Sequence, residues 1–436
     1  MTRRAIGLFV SLVLGVTACT AKETPVSTNV SAPSPSPSSL ITREGRWGED
    51  IDHLVEEMEA IHPDLFHGVS KEVFDRAVDD LVAAMPTLDD DEMLVGIMHL
   101  VAMISSDGRD GHMGVWPPDN PEVVHRFPIR IWEFPDGLFV TAARPPNEHL
   151  VGSKILSVDG VPIDAVFRRL DPVVPRDNAS NLRDARTVFL TSAEVLDGIG
   201  ITDEPLTMTL KVGSPDGTRR TATIHAVDAS AYADWVGGWE LLLPQRPGLL
   251  FLRDPADAFW VEYLPPSRTL YAQYNVVREH SAQAVSEIER AMREHPVDRL
   301  VLDLRNNGGG EAGGYRDLLR FLAGPEIDRP RQLFVLIGRL TFSAGTSLAV
   351  LLERRAPNVT FVGEDSGGAP NFWADPQTVT LPNSNLRALI ASRYFGIGGP
   401  HDMRTAAEPD IAVPFTSSDY FSGRDPVLEA AMNTQP

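Results

Sequence analysis

The sequence predicts a mixed α/β protein built around a parallel β-sheet, and two features of the chain lead to this fold class. Short apolar strands are predicted at 300–304, 333–337 and 359–362, and helices are predicted between them at 315–322 and 344–354. Fully apolar strands that alternate with helices are typical of a parallel sheet with both faces covered. Before this region, the chain is first helical and then rich in turns.

The N-terminal segment has the pattern of a bacterial lipoprotein signal. A basic start precedes an apolar stretch, and Val16-Thr17-Ala18-Cys19 resembles a lipobox, whose cysteine is lipidated. Residues 1–19 are therefore predicted to be a signal peptide, with Cys19 anchoring the protein to the extracytoplasmic side of the membrane. The alternative is a plain signal peptide with an incidental cysteine. The Pro/Ser-rich residues 20–45 are predicted to be a tether.

Composition limits the partners and cofactors to be expected. The 436 residues carry a formal net charge of -21, and an acidic surface repels phosphate backbones, so we expect no nucleic-acid partner. Cys19 is the single cysteine, which excludes intramolecular disulfides and Cys-rich zinc sites. No Asp/His/Glu cluster shows ligand spacing, so neither a metal nor another cofactor is predicted. At this length, two or three domains are expected.

Residues 46–105 are predicted to form an N-terminal helical domain. Apolar residues repeat at helical spacing along 51–61, 74–85 and 94–104, and prolines follow the first two stripes. We interpret these stripes as core and not as a cofactor-binding pattern.

The middle of the chain is predicted to be strand-rich. Residues 106–149 are assigned to the first part of the core, and they contain a Gly/Asp-rich turn and a hairpin around Pro135-Asp136-Gly137. Residues 150–232 are predicted to be a PDZ-like domain, since a strand, the Asp159-Gly160 turn and a second short strand follow one another. Such a domain would bind extended peptide by strand addition. Residues 233–436 are predicted to be the catalytic core.

Two turns at the carboxyl ends of the predicted parallel strands are suited to chemistry, because ligands bind at this edge of such sheets. The first ends in Gly308-Gly309-Gly310, where backbone angles forbidden to side chains let an N–H approach a substrate oxygen. A phosphate cradle is a poorer interpretation, because no Gly-Lys-Ser/Thr follows. In the second turn, Ser343 precedes a helix whose dipole and free N–H groups favour an alkoxide. Taken alone, such a serine is more often only an N-cap.

Five segments of the chain, which include these two turns, together and in their order resemble the core of the tail-specific (C-terminal processing) serine peptidases. The resemblance covers residues 47–430 and is strongest from 269 onward. Its C-terminal part, 419–428, is similar to the bacterial lipoproteins related to the tricorn core and to interphotoreceptor retinoid-binding protein. It implies a crotonase-like α/β core with a helical N-terminal region and an inserted PDZ-like domain. The matching segments are 301–310, 341–344, 361–368, 381–384 and 408–413.

The resemblance also implies the site residues. The nucleophile falls on Ser343, and the oxyanion donors are the backbone N–H groups of Ala344 and Gly309, with Gly308 as an alternative to Gly309. Many relatives have glutamate three positions after the serine, where this chain has Thr346. The resemblance also implies four substrate-binding glycines. Gly308 and Gly310 lie in the first of the two turns described above, and Gly367 and Gly368 lie in the later segment 361–368.

The choice of general base depends on a lysine that some relatives have and this chain lacks. One branch of the family uses a Ser/Lys pair, but the loop 366–370 contains no lysine, which excludes that pair. The other branch uses a histidine, and His112 matches it, able to take the Ser343 proton and return it to the leaving group. His401 is a weaker rival. The acid that orients the histidine is assigned to Asp402, with Glu408 second.

The leading functional hypothesis is an extracytoplasmic, lipid-anchored serine endopeptidase that hydrolyses a peptide or protein substrate through an acyl-enzyme. A non-catalytic ligand- or peptide-binding lipoprotein on the same fold is the alternative from a different class. A serine hydrolase of non-peptide esters or cell-wall material is a third hypothesis, since the same acyl-transfer machinery would serve it.

Overall fold

The computed structural model describes residues 42–105, 108–214, 217–237, 243–278, 281–325, 327 and 332–434. The predicted signal peptide, Cys19 and the tether up to residue 41 lie outside these described residues. Among the described helices, none combines the length and the apolar character needed to cross a bilayer.

Three helices open the described chain, and their starts and ends follow local sequence. They are α1 (Arg43–Ile61), α2 (Lys71–Ala84) and α3 (Asp90–Ala102). The predicted helical region is confirmed, but α1 begins three residues before the expected boundary at 46, because the Thr42 hydroxyl caps the Gly45 N–H. A reciprocal capping box between Asp89 and Glu92 starts α3.

An antiparallel sheet of six strands follows. The strands are β1 (Ile129–Phe134), β2 (Gly137–Ala143), β3 (Lys154–Val158), β4 (Val161–Pro162), β5 (Thr207–Gly213) and β6 (Arg219–His225). Their order is β1-β2-β3-β5-β6, with β4 paired to β3. Four helices accompany them, α4 (Ile163–Leu170), α5 (Ala179–Phe189), α6 (Ala193–Gly198) and α7 (Ala229–Val236).

The predicted domain boundary between 149 and 150 does not coincide with a break in this sheet. Strand β2 pairs with β3 at Phe139 and Lys154, so strands on both sides of the boundary belong to one sheet. One continuous apolar cluster also joins the three N-terminal helices to this sheet, through residues such as Leu54 and Val140. The hairpin expected around Pro135-Asp136-Gly137 is confirmed as β1–β2.

The C-terminal half contains ten further strands. They are β7 (Phe259–Leu264), β8 (Thr269–Tyr274), β9 (Arg299–Asp303), β10 (Leu333–Ile337), β11 (Val359–Gly363), β12 (Asn371–Ala374), β13 (Gln377–Thr380), β14 (Arg387–Ile390), β15 (Arg393–Gly396) and β16 (Ile411–Ala412). Six of them form the sheet β16-β11-β10-β9-β8-β7, which is parallel except for β7. The predicted mixed α/β class and its parallel strands are confirmed.

Helices cover both faces of the parallel sheet, as the apolar strands predict. The C-terminal helices are α8 (Ser281–Glu294), α9 (Arg316–Leu322), α10 (Ala344–Arg355), α11 (Ser417–Ser422) and α12 (Pro426–Asn433). Successive residues of one strand point to opposite sides, so Leu302 lies in one apolar cluster with Leu348 of α10, while Val301 lies in another with Leu428 of α12.

Two small ladders bring distant turns to the carboxyl edge of the parallel sheet. β12 pairs with β15 and β13 with β14, both antiparallel. The turn that contains His112 is bound to these ladders, because Gly114 exchanges both backbone hydrogen bonds with Leu389 and the Trp373 N–H donates to the Arg109 carbonyl. The ladders therefore fix where His112 lies.

Candidate active site

Ser343 lies in a strained turn between β10 and α10. Its backbone angles are φ 51° and ψ -122°, a combination that costs a non-glycine residue free energy and persists only when its surroundings enforce it. Here the Phe342 N–H donates to the Asn307 carbonyl, and the Thr341 hydroxyl donates to the Leu304 carbonyl. Ser343 holds the N-cap position of α10, yet its side chain makes no capping hydrogen bond. The hydroxyl is therefore not used to cap the helix.

The glycine turn after β9 lies directly against Ser343. A Cβ on Gly309, whose φ is 112°, would lie 2.6 Å from the Ser343 Cβ and 3.1 Å from its Oγ. A Cβ on Gly310 would lie 2.1 Å from the Val277 carbonyl oxygen. Only glycine fits at either position, and the two predicted turns do meet.

The predicted oxyanion donors differ in their availability. Gly309 donates its N–H to Asn307 Oδ1 at 3.0 Å, so this donor is already engaged. Within the part of the chain that the structure describes, the N–H groups of Ala344 and Gly308 make no hydrogen bond. Ala344 is also the first residue of α10, where the helix dipole favours negative charge. Of the predicted donors, Ala344 therefore combines a free N–H with a place in the cavity wall, whereas Gly309 lies against Ser343 with its N–H engaged.

The remaining predicted glycines divide into two groups. Gly310 lines the cavity in front of Ser343. Gly367 and Gly368 both donate their N–H groups to the Thr341 carbonyl, and a Cβ on Gly368 would lie 2.4 Å from the Thr346 Oγ1. These two glycines support the serine turn from behind, as does Thr346, whose hydroxyl donates to the same carbonyl at 2.8 Å.

His112 lines the same cavity as Ser343 and is otherwise enclosed. Its ring stacks on Phe342, with centroids 4.5 Å apart, and on Phe372 at 5.4 Å. Among the described residues, neither ring nitrogen has a partner in hydrogen-bonding geometry. Burial lowers the pKa of His112 to about 4, although Asp110, the Trp373 backbone and Asp375 oppose this change. His112 is therefore neutral near pH 7, the state that a general base requires.

A second histidine group, which was not predicted from the sequence, lies beside this one. His62 and His67 each place Nε2 near Asp110 Oδ2, at 3.2 and 3.3 Å, and His62 and Asp110 are fully buried. Both histidine rings also pack on Trp373. Burial would raise the pKa of the Asp110 carboxyl, but the hydrogen bonds from the two histidines hold it below its usual value.

These three side chains include the ligand types of a metal site, and their atoms converge closely enough to hold an ion. Their hydrogen bonds favour a different arrangement. The Asp64 N–H donates to His62 Nδ1 at 3.1 Å, which leaves the ring proton on Nε2, facing Asp110. As folded, His62 therefore offers the carboxylate a proton and not a metal a lone pair.

The structure does not bring the predicted acid to His112. The Asp402 carboxylate accepts hydrogen bonds from the Arg404 side chain at 2.8 and 3.1 Å, and these hold the pKa of Asp402 below its usual value. Glu408 and His401, the second choice and the rival base, are both exposed. Asp110 is instead the charged group with the largest effect on the pKa of His112, which it raises. Asp110 could have been considered from the sequence alone, because it stands two residues before His112 in the same turn.

The cavity in front of Ser343 has a volume of about 920 Å³. This is large enough for several residues of an extended peptide or for a small molecule. Its wall includes Ser343, His112, Ala344 and Gly310, so the serine, the histidine and one free N–H open onto the same space. This arrangement can support acyl transfer.

Comparison with known proteins gives structural matches alone. No protein-family model matches the sequence, and no curated protein matches it. Mature CPAF complexed with lactacystin matches with a TM-score of 0.60 and 12% identity, over 88% of this chain and 97% of that one. Mature CPAF matches with a TM-score of 0.59 and 14% identity, over 88% and 96%.

A photosystem II D1 C-terminal processing protease matches with a lower TM-score of 0.41 and 16% identity, over 86% of this chain and 94% of that one. At these identities, what the matches show is a shared fold with CPAF.

Proposed function

We propose that this protein is a serine endopeptidase that cleaves peptide bonds through an acyl-enzyme, with Ser343 as nucleophile and His112 as general base. The observation that carries the proposal is the convergence of these two side chains on one cavity. Ser343 is held in a strained turn with its hydroxyl free of capping, and His112, which lines the same cavity, is buried and neutral.

The proposed reaction has two halves. His112 takes the Ser343 Oγ proton while Oγ bonds to the substrate carbonyl carbon, and the Ala344 N–H stabilises the resulting oxyanion. The C–N bond then breaks and the amine leaves with the proton from His112. A water molecule, deprotonated by His112, hydrolyses the ester and restores Ser343.

We assign the acid of this machinery to Asp110 in place of Asp402. The negative charge of its carboxylate raises the pKa of His112, while burial lowers it. Its Oδ1 is buried and has no hydrogen-bond partner among the described residues, while His62 and His67 hold Oδ2. Asp110 is therefore a fixed negative charge beside the ring that becomes an imidazolium during the reaction.

The finer predictions on fold and location are part of the same proposal. The six-stranded sheet with helices on both faces supports a crotonase-like core, and the antiparallel strands β3 to β6, which lie within 150–232, support a PDZ-like domain. The apolar start and the lipobox-like segment ending at Cys19 support a lipid anchor and an extracytoplasmic location.

Labelling with a fluorophosphonate probe tests the proposed function. We expect the full-length chain, kept in mild detergent, to form one covalent adduct, which mass spectrometry of its peptides locates on Ser343. A folded chain that forms no adduct, or forms it on another serine, would refute the proposed nucleophile. It would favour the binding-protein alternative, for which the engaged Gly309 N–H is the supporting observation.

The pH dependence of labelling gives a second prediction. His112 accepts a proton only when neutral, so the labelling rate is expected to be constant near neutrality and to fall only as the pH approaches about 4. An unperturbed histidine would lose activity near its usual pKa of about 6.5. The Asp110→Asn variant removes a charge that raises the His112 pKa, so its midpoint should lie still lower.

Acid unfolding must be separated from this titration. The unfolded chain takes up a proton on His112 below about pH 6.5 while the folded chain does not, so stability falls on acidification. Circular dichroism at each pH and recovery of labelling after return to neutral pH are the controls. A reversible midpoint near pH 6.5 in a folded sample would contradict the assignment of His112.

A further inference from the structure

The cavity in front of Ser343 carries charge of the opposite sign to the whole chain. The formal net charge of the protein is -21. The described residues that line the cavity nevertheless include one carboxylate, that of Asp375, and four guanidinium groups, those of Arg316, Arg320, Arg355 and Arg393. His112 adds no positive charge, because burial keeps it neutral. The cavity is therefore a basic site on an acidic protein.

Two of these arginines have no counter-ion within the described part of the chain. Arg320 pairs with Asp317 at 2.9 Å, and Arg393 pairs with Asp375 at 3.3 Å. Arg316 and Arg355 form no ion pair with any residue that the structure describes. Their charges remain available to a ligand.

The two arginines come from the two helices next to the serine and glycine turns. Arg316 is the first residue of α9, and its guanidinium lies against Gly313, just beyond the glycine turn that contacts Ser343. Arg355 ends α10, the 12-residue helix that begins immediately after Ser343. The charges of both arginines lie close enough to Tyr315, which also lines the cavity, to lower the pKa of its hydroxyl against the effect of burial.

We infer that the cavity binds its substrate through carboxylate groups, so that the preferred substrate is an acidic polypeptide segment. Arg316 and Arg355, which both line the cavity, each take a carboxylate of the bound segment. The inference rests on the proposed peptidase function and specifies its substrate class. The carboxylates can come from Asp and Glu side chains or from a free C-terminus, and the test separates these sources.

Peptide binding to the full-length Ser343→Ala variant tests the inference without requiring cleavage. The rhodamine-labelled peptides have about ten residues and one common sequence, in which four positions carry glutamate, glutamine or lysine. Their C-termini are amidated. One further glutamine peptide keeps a free C-terminal carboxylate. By fluorescence anisotropy we expect the glutamate peptide to bind about fivefold or more tightly than the amidated glutamine peptide. Salt should weaken this preference.

Matched double variants identify the residues responsible. In the Ser343→Ala background, Arg316→Gln with Arg355→Gln should abolish the preference for glutamate. Arg219→Gln with Arg220→Gln changes the net charge equally at exposed positions of β6 and should preserve it. A preference for the free-carboxylate peptide alone would identify the C-terminus as the source of the bound group.

Two results would overturn the inference. One is equal or undetectable binding of the glutamate and both glutamine peptides, and the other is a preference that survives loss of Arg316 and Arg355. Neither result depends on the nucleophile, because labelling of Ser343 is measured separately on the intact chain. Failure of the substrate inference and failure of the proposed chemistry are thus distinguishable.

Discussion

Replacing Ser343 by alanine is expected to reduce hydrolysis of a fluorogenic ester and of casein by about 10⁴-fold or more, and His112→Ala should have an effect of similar size. The physical reason is that both side chains serve one proton transfer. Without Oγ no acyl-enzyme forms, and without the imidazole the hydroxyl keeps its proton and remains a weak nucleophile.

The double variant distinguishes a catalytic pair from two independent contributors. If Ser343 and His112 act as a unit, Ser343→Ala with His112→Ala should be no slower than either single variant. The exposed residues Ser418 and His149 provide matched controls, and Ser418→Ala and His149→Ala should retain full activity. Losses that add up in the double variant, or a fully active His112→Ala protein, would refute the pair.

Replacing Arg305 by methionine is expected to destabilise the fold by about 3–5 kcal/mol. Arg305 is buried directly after β9, where it donates to Asp425 at 2.9 and 2.8 Å and to Asp303 at 2.6 Å. The buried Tyr271 hydroxyl also donates to Asp303. The substitution leaves two buried carboxylates without their counter-ion, which is the costly way to break a buried ion pair.

A neighbouring arginine supplies the control for this prediction. Arg424 also pairs with two carboxylates, those of Glu429 and Asp419, but it is exposed, so Arg424→Met should leave the urea midpoint nearly unchanged. Circular dichroism during urea denaturation measures both variants. If Arg305→Met unfolds at the same midpoint as Arg424→Met, the buried network does not stabilise the fold as argued.

The elements of the parallel sheet illustrate what local sequence can predict. Strands β9, β10 and β11 and helices α9 and α10 lie at or within a residue or two of their predicted positions, because an unbroken apolar run and a helical repeat are properties of short segments. The position of Ser343 at the start of a helix is equally local.

The two histidines that hold Asp110 illustrate what local sequence cannot predict. His62 and His67 stand 48 and 43 residues from Asp110, and they meet it beside Trp373, which comes from β12. Assignment by the order of motifs instead favoured Asp402, whose carboxylate is held by Arg404. The domain boundary at 149/150 failed to mark a break in the sheet for the same reason, since strand pairing across it is a contact between segments.

The sequence by itself determined which segments become strands, helices and glycine turns, and it placed a serine and a glycine turn at the same edge of the sheet. Only the tertiary structure decided which donors remain free, which carboxylate acts on His112 and which arginines surround the cavity. The reason is physical. Backbone preference and apolar periodicity act over a few residues, whereas burial, ion pairing and pKa depend on groups that folding brings together from distant parts of the chain.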